Sequence, residues 1–371
     1  MVKCGIDNSA GLRKVLQGKR LGLISNPTGV NSNLEHTVDI LARNFRLVAL
    51  YGPEHGIKGE QQAGKETQNS FDSKYKLPIF SLYGKSLRLN DEMLEGVDML
   101  VYDIQDVGAR FYTYTSTLAY AMEECDKRNI PFTILERPNP LGCSKCEGFA
   151  IRPELDSFVG GYGLTARYAL TPGMLAMYIK DKLSLKLELN VVPCLEYDID
   201  SIYPDTRLPW IMPSPNIPTF DSALAYIGTC IFEGTNISEG RGTTHPFEIV
   251  GAPFLDAEAL VSAMRKHKLP GVLFRETHFS PTFSKFAGEL CHGLQLHITD
   301  YNAFRPFQTG ALIFQEICRQ SDKLEYILPH FDRIAGSQML RDNPTDVNHA
   351  IQQAEKEAMA FLNETQYLKE P

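Results

Sequence analysis

Over its first ~140 residues the chain alternates short, unbroken apolar runs with longer segments of helical spacing. "RLGLIS" (20–25), "RLVALY" (46–51), "DMLVYDI" (98–104) and "PFTILE" (131–136) each read as a strand that is apolar on both faces. Between them, "NLEHTVDILARNF" (33–45), "NDEMLEGV" (90–97) and "YTSTLAYAMEECDKRN" (114–129) carry apolar residues at helical intervals. Strands without polar alternation belong in a parallel sheet covered on both sides. The expected fold class is therefore α/β, with a Rossmann-like, doubly wound parallel sheet. "TPGMLAMYIKDKL" (171–183) adds a helix with Pro172 in its first turn, and "LELNVVPCL" (187–195) a further strand.

The pattern then breaks at "LPWIMPSPNIPTF" (208–220), where Pro209, Pro213, Pro215 and Pro218 can neither continue a helix nor sit inside a sheet. A domain boundary is expected here. Residues 1–215 would form a Rossmann-like N-terminal catalytic domain, and 216–371 a smaller α+β C-terminal domain completing a cleft. In the second domain "ALAYIGTCIF" (223–232), "GVLFRETHF" (271–279) and "CHGLQLHITD" (291–300) read as strands. "DAEALVSAMRKH" (256–267), "GALIFQEICRQ" (310–320) and "DVNHAIQQAEKEAMAFLNET" (346–365) read as helices.

Composition narrows the function by exclusion. A formal charge of −8 and the lack of a Lys/Arg-rich stripe argue against nucleic acid. No apolar run approaches the ~20 residues of a membrane helix. The start, "MVKCGIDNSAGLRK", shows no export signal, so the expected location is cytoplasmic, or exported with the signal removed. Eight scattered cysteines, with one Cys143-x-x-Cys146 pair, lack the partners of a zinc site and are expected to be free, mostly buried thiols. Nothing in the sequence speaks to oligomeric state.

Each strand of the first domain runs into a loop dense in polar residues: "SNPTGV" with Asn26, "YGPEHG" with Glu54 and His55, "YDIQDVGARFYTY", and "ERPNP" with Glu136, Arg137 and Asn139. In a parallel sheet these loops meet at the carboxyl edge, where ligands bind. The second domain adds "EGTNISEGRGTTHPFE". Together they imply a cleft between domains. A dinucleotide is excluded because "SNPTGV" lacks G-x-G-x-x-G. "GEQQAGKE", from Gly59, has P-loop spacing but puts Glu66 where a magnesium-binding hydroxyl belongs. No G-x-S-x-G elbow is present, and His292 and His297, five apart in a strand, face opposite sides. His245 is better placed to donate hydrogen bonds than to bind zinc. Neither metal nor organic cofactor is expected.

What remains is carboxylates (Glu54, Asp103, Asp106, Glu136, Glu233, Glu239) among arginines (Arg110, Arg137, Arg241). Several acids without a metal motif suit glycoside hydrolysis. Tyr112, Tyr114 and Trp210 could stack on a sugar ring, although Tyr112 and Tyr114 could equally be core aromatics and Asp106–Arg110 a plain i, i+4 ion pair.

The runs "GPEHG", "SLYG", "DIQDVGARFYTY", "RPNP", "PSPN", "EGTNISEGRGTTHPFE" and "GAP" resemble the NamZ-type exo-β-N-acetylmuramidases, over most of the chain. The resemblance implies a Rossmann-like domain and a smaller one with the site between them. It also implies release of a terminal β-linked N-acetylmuramic acid (MurNAc) from the non-reducing end of peptidoglycan fragments such as MurNAc-GlcNAc or muropeptides. On this reading Glu54 is the general acid oriented by His55, Glu239 or Glu233 is the second carboxylate, and Asp103 is the reserve. The lactyl carboxylate would take Arg110, Arg137 or Arg241, and the acetamido group Asn139 or Asn236. Asn26, Gln105, Asp106, Tyr112, Tyr114, Glu136, Asn216 and His245 complete the expected substrate-binding set. The chain departs from the family pattern at Glu136, where Asp is usual, and at "YALT" from Tyr168, where His-Gly-Met-Thr is usual. A hydrolase of another amino-sugar glycoside, or a non-catalytic muropeptide-binding protein, would use much the same loops.

Overall fold

The structure, a computed structural model, describes residues 1–59 and 69–369. The P-loop-like stretch after Gly59 lies outside the described residues. The N-terminal unit holds β1 (Arg20–Ser25), β2 (Arg46–Gly52), β3 (Ser70–Asp72), β4 (Leu77–Ser81), β5 (Met99–Asp103), β6 (Phe132–Leu135) and β7 (Leu189–Val192). Its helices are α1 (Ser9–Leu16), α2 (Thr37–Asn44), α3 (Tyr114–Arg128), α4 (Pro172–Lys182) and the single turn α5 (Tyr203–Thr206). The strands form one sheet in the order β3-β4-β2-β1-β5-β6-β7, parallel except for β3.

Both faces of this sheet are buried by successive residues of the same strand, as the unbroken apolar runs require. Leu21 and Leu23 of β1 and Met99 and Val101 of β5 face one core, together with Leu12, Leu16 and Leu41 from α1 and α2. Ile24, Leu100 and Tyr102 face the other, together with Leu118 and Met122 of α3 and Leu175 of α4. That second core continues without a break into the C-terminal unit, through Phe220, Ile231, Phe314 and Phe331.

The C-terminal unit contains α6 (Phe220–Thr229), β8 (Ile249–Ala252), α7 (Ala257–Lys266), β9 (Val272–Phe279) and β10 (Cys291–Ile298). It ends in α8 (Pro306–Gln320), α9 (His330–Ala335), α10 (Met339–Asp342) and α11 (Asn348–Glu364). Its strands form a small antiparallel sheet, β8-β10-β9. The mostly parallel sheet and the second unit with its small antiparallel sheet match the expected fold class, and the proline-rich segment between 208 and 218 has neither helix nor strand.

Two elements differ from it. "ALAYIGTCIF" is not a strand but α6 and a following 3-10 turn, capped where Thr219 Oγ1 accepts from the Ser222 amide at 3.0 Å. Nine of the ten residues of α6 are buried, all but Asp221, so the polar face that normally reveals a helix is missing. A Cβ on Gly228 would lie 2.0 Å from the Pro306 carbonyl oxygen, so α6 and α8 approach as only a glycine permits. "NDEMLEGV" is a run of turns, with Gly96 at φ +75°. The eight cysteines carry no disulfide, and five are buried. Among the described residues no helix is long and apolar enough to cross a membrane.

Candidate active site

In the parallel sheet the strand order reverses between β1 and β5, where doubly wound folds usually bind ligands. Here that crevice is filled by the protein's own side chains. Arg137 grips Asp103 with Nε–Oδ1 at 2.5 Å and Nη2–Oδ2 at 2.9 Å, and the Thr37 hydroxyl donates to the same carboxylate. Arg137 Nη2 also donates to the Val30 carbonyl at 2.9 Å. A void of only about 10 Å³ is left beside Gln105 and Arg137.

The usable space lies at the domain interface, as a cavity of about 790 Å³, within the ~300–1,000 Å³ usual for small-molecule sites. One wall is built by the loops of the parallel sheet: Glu54 and His55 after β2, Tyr83 after β4, and Phe111, Tyr112 and Thr113 leading into α3. The opposite wall holds Glu233, Glu239 and Arg241 from the connection between α6 and β8. Lys285, on the connection between β9 and β10, and His330, at the start of α9, complete it. Ser214, Asn216 and Ile217 of the proline-rich segment join the two walls.

Glu54 sits in a turn closed by the Gly56 amide donating to Pro53 O at 2.9 Å. His55 occupies the turn's third position with φ +74°, a conformation normally left to glycine. Such backbone costs about 1–3 kcal/mol and persists where the surroundings impose it, chiefly at functional sites. Both side chains are over nine-tenths buried. The Thr113 hydroxyl donates to Glu54 Oε2 at 2.8 Å, so the mouth of α3 orients the carboxyl. The Tyr83 hydroxyl also meets Glu54, and burial together with that charge pushes its pKa up to about 12.

Across the cavity the charges are interlocked. Arg241 Nη2 lies 2.5 Å from Glu233 Oε1 and Arg241 Nε 3.3 Å from Glu239 Oε1. Lys285 Nζ lies 2.9 Å from Glu239 Oε2 and also donates to the Phe232 and Ile237 carbonyls at 2.5 and 2.9 Å. Burial alone would raise the Glu233 pKa, but Arg241 and the nearby His330 outweigh it and hold the carboxyl at about 2.

Of the residues expected at the site, Glu54, His55, Tyr112, Asn216, Glu233, Glu239 and Arg241 line this cavity. The others do not, most of them because their polar atoms are committed elsewhere. Asp103 and Arg137 neutralise one another below the sheet edge. Arg110 is fully buried and donates to the Arg333 and Ile334 carbonyls at 2.9 and 2.7 Å, holding the end of α9. Asp106 does not pair with Arg110; it accepts from the Val107 and Gly108 amides, and burial pushes its pKa up to about 6. Glu136 caps α4 through Thr171 and the Gly173 amide, its pKa pushed up to about 7 by burial. Asn139 is spent on Leu170 O and the Leu141 amide, and Asn236 on Lys323 O and the Glu325 amide. Gln105 donates to the Asp106 and Pro138 carbonyls. Asn26 donates to the Tyr114 hydroxyl, which in turn donates to Pro213 O at 2.7 Å, so both support the wall from behind. His245 is half-exposed beside Glu248, outside the cavity. Trp210 stacks edge-on against Tyr203 and Phe220.

Tyr83, Thr113, Lys285 and His330 are the site residues that the sequence reading missed. Tyr83, inside "SLYG", and Thr113, inside "FYTY", stood in stretches already singled out; Lys285 and His330 come from segments with no motif around them.

Comparison with known proteins agrees with this architecture. Residues 21–221 match the family model for the N-terminal part of exo-β-N-acetylmuramidase NamZ, and residues 224–368 that for its C-terminal part. The chain is 45% identical to the peptidoglycan β-N-acetylmuramidase NamZ of Bacillus subtilis strain 168, over 97% of this chain and 89% of that protein. It also superposes on crystal structures of two DUF1343 family proteins from Bacteroides fragilis. The first has a TM-score of 0.91 at 35% identity and the second 0.80 at 28%, each covering 99% of this chain and 98% of the other. The chain therefore belongs to the exo-β-N-acetylmuramidase NamZ family.

Proposed function

We propose that this protein is an exo-acting glycoside hydrolase that releases terminal β-linked MurNAc from the non-reducing end of peptidoglycan fragments. The observation that carries the reading is that Glu54 with His55 and the Glu233–Arg241–Glu239 network line opposite walls of one cavity, in a chain of the muramidase family. Hydrolysis of a glycosidic bond needs a proton for the leaving oxygen and a carboxylate on the other face of the sugar. Glu54 supplies the proton. Thr113 and Tyr83 fix its carboxyl and stabilise the charge left on it after transfer. Glu239, paired with Arg241 and Lys285, or Glu233, held ionised by Arg241 and His330, stabilises the developing positive charge at the anomeric carbon or activates water there.

The lactyl carboxylate of MurNAc calls for a cation. Of the three arginines considered, Arg241 alone lines the cavity, so it takes this role, together with Lys285 and His330. The experiment is turnover of 4-nitrophenyl β-MurNAc against its β-GlcNAc counterpart by the purified protein. The proposal expects release from the first and little from the second; equal turnover of both would remove the lactyl group from recognition.

A further inference from the structure

Two polar atoms in the cavity wall are buried and lack a hydrogen-bond partner among the described residues: Nδ2 of Asn216 and the hydroxyl of Tyr112. Asn216 is 4% exposed and Tyr112 7%. The Tyr112 hydroxyl lies near that of Tyr114 but not in sound hydrogen-bond geometry with it. A buried donor without an acceptor is costly, and native proteins keep few of them. Here the two belong to one wall. The Tyr112 and Tyr114 rings pack edge to face at 4.7 Å, and Tyr114 holds Pro213, three residues before Asn216. Ser214 accepts from the Asn216 amide and its carbonyl from that of Ile217, so the side chain stands on a fixed turn. Its surroundings are apolar: Ile217 is 1% exposed, and the Tyr226 ring packs edge to face against Tyr112 at 6.1 Å.

A pure donor and a hydroxyl set among apolar side chains complement a small secondary amide bearing a methyl group. The amide presents one acceptor, one N–H and an apolar cap. We infer that Asn216 and Tyr112 form the subsite for the 2-acetamido group of the sugar, with Asn216 Nδ2 donating to its carbonyl oxygen. The Tyr112 hydroxyl meets the amide from the other side. Asn139 and Asn236, the asparagines expected in this role, have both ends of their amides engaged elsewhere. This assignment rests on the muramidase reading and deepens it: the enzyme reads the acetamido group on this wall and the lactyl group on the charged one.

The test is equilibrium binding of two sugars, MurNAc and 3-O-lactylglucose, which carries a hydroxyl in place of the acetamido group. They are titrated into the wild-type protein and into Asn216→Ala and Asn216→Asp, the second preserving side-chain shape. The wild type should prefer MurNAc by at least about tenfold, and both variants should bring that ratio towards one. If the variants lose affinity for both sugars equally, Asn216 merely supports the wall and the assignment fails. Equal binding of the two sugars by the wild type overturns the subsite alone. Binding of neither sugar overturns the muramidase reading and the subsite with it.

Discussion

Arg241 Nη2 lies 2.5 Å from a Glu233 carboxylate oxygen in the wall of the cavity, and each side chain is about a fifth exposed. The pair sets the charge state of that wall. Glu233, held at about 2, is ionised at any pH at which the protein would work, which suits a carboxylate facing positive charge and excludes it as the proton donor.

Removing Arg241 leaves this largely buried carboxylate with only the more distant His330 beside it, so Arg241→Ala should cost about 3 kcal/mol at pH 7. The Glu233 pKa is depressed from 4.5 in the native protein. Its contribution to stability is therefore present above about pH 4.5 and lost as pH falls towards 2. Urea unfolding at pH 7 and pH 3.5 should show the gap between wild type and Arg241→Ala narrowing on acidification. A constant gap would place the effect outside the ion pair.

Glu136 has the opposite sign. Its pKa is raised from 4.5 to about 7, so below pH 4.5 it is protonated whether folded or not. Between 4.5 and 7 the unfolded chain ionises first, and stability falls as pH rises. Glu136→Gln should therefore gain on wild type as pH increases from 4 to 8, by an amount on the order of 3 kcal/mol. Denaturant titrations at the two pH values measure it, and no pH-dependent gain would contradict the assignment.

Arg110 reaches from the N-terminal unit to the last carbonyls of α9, the helix that begins with His330. Arg110→Met removes two charge-assisted hydrogen bonds and should cost about 3 kcal/mol. Because α9 carries a cavity residue, KM on a MurNAc glycoside should rise more than kcat falls. A variant that lowers the melting temperature but leaves KM unchanged would make Arg110 purely structural.

The central strands β1, β2, β5 and β6 were legible in the sequence because, buried on both faces, they carry nearly unbroken apolar runs. The short strands β3 and β4, at one edge of the sheet, carry no such run and were not read. α6 was not legible either, because a helix buried all round also loses its periodicity. The site divided along similar lines. Glu54 and Arg241 stand in loops whose density of polar residues announced them. Asp103 and Arg137 stand in equally rich loops, yet they face one another across adjacent strands, and spacing in the chain cannot reveal that they are mutually neutralised. Lys285 and His330 reach the cavity from more than 40 residues away from Glu239. Only the packing of α9 and the β9–β10 connection brings them there.

The central claim is that Glu54 is the proton donor, and hydrolysis of MurNAc-GlcNAc by purified Glu54→Gln tests it most directly. A general acid is worth ~10²–10⁴-fold, so kcat/KM should fall at least about a hundredfold on this poor leaving group while the melting temperature stays near that of wild type. The loss should be smaller on 4-nitrophenyl β-MurNAc, whose leaving group needs little protonation. Disaccharide hydrolysis within a few-fold of wild type would contradict the account.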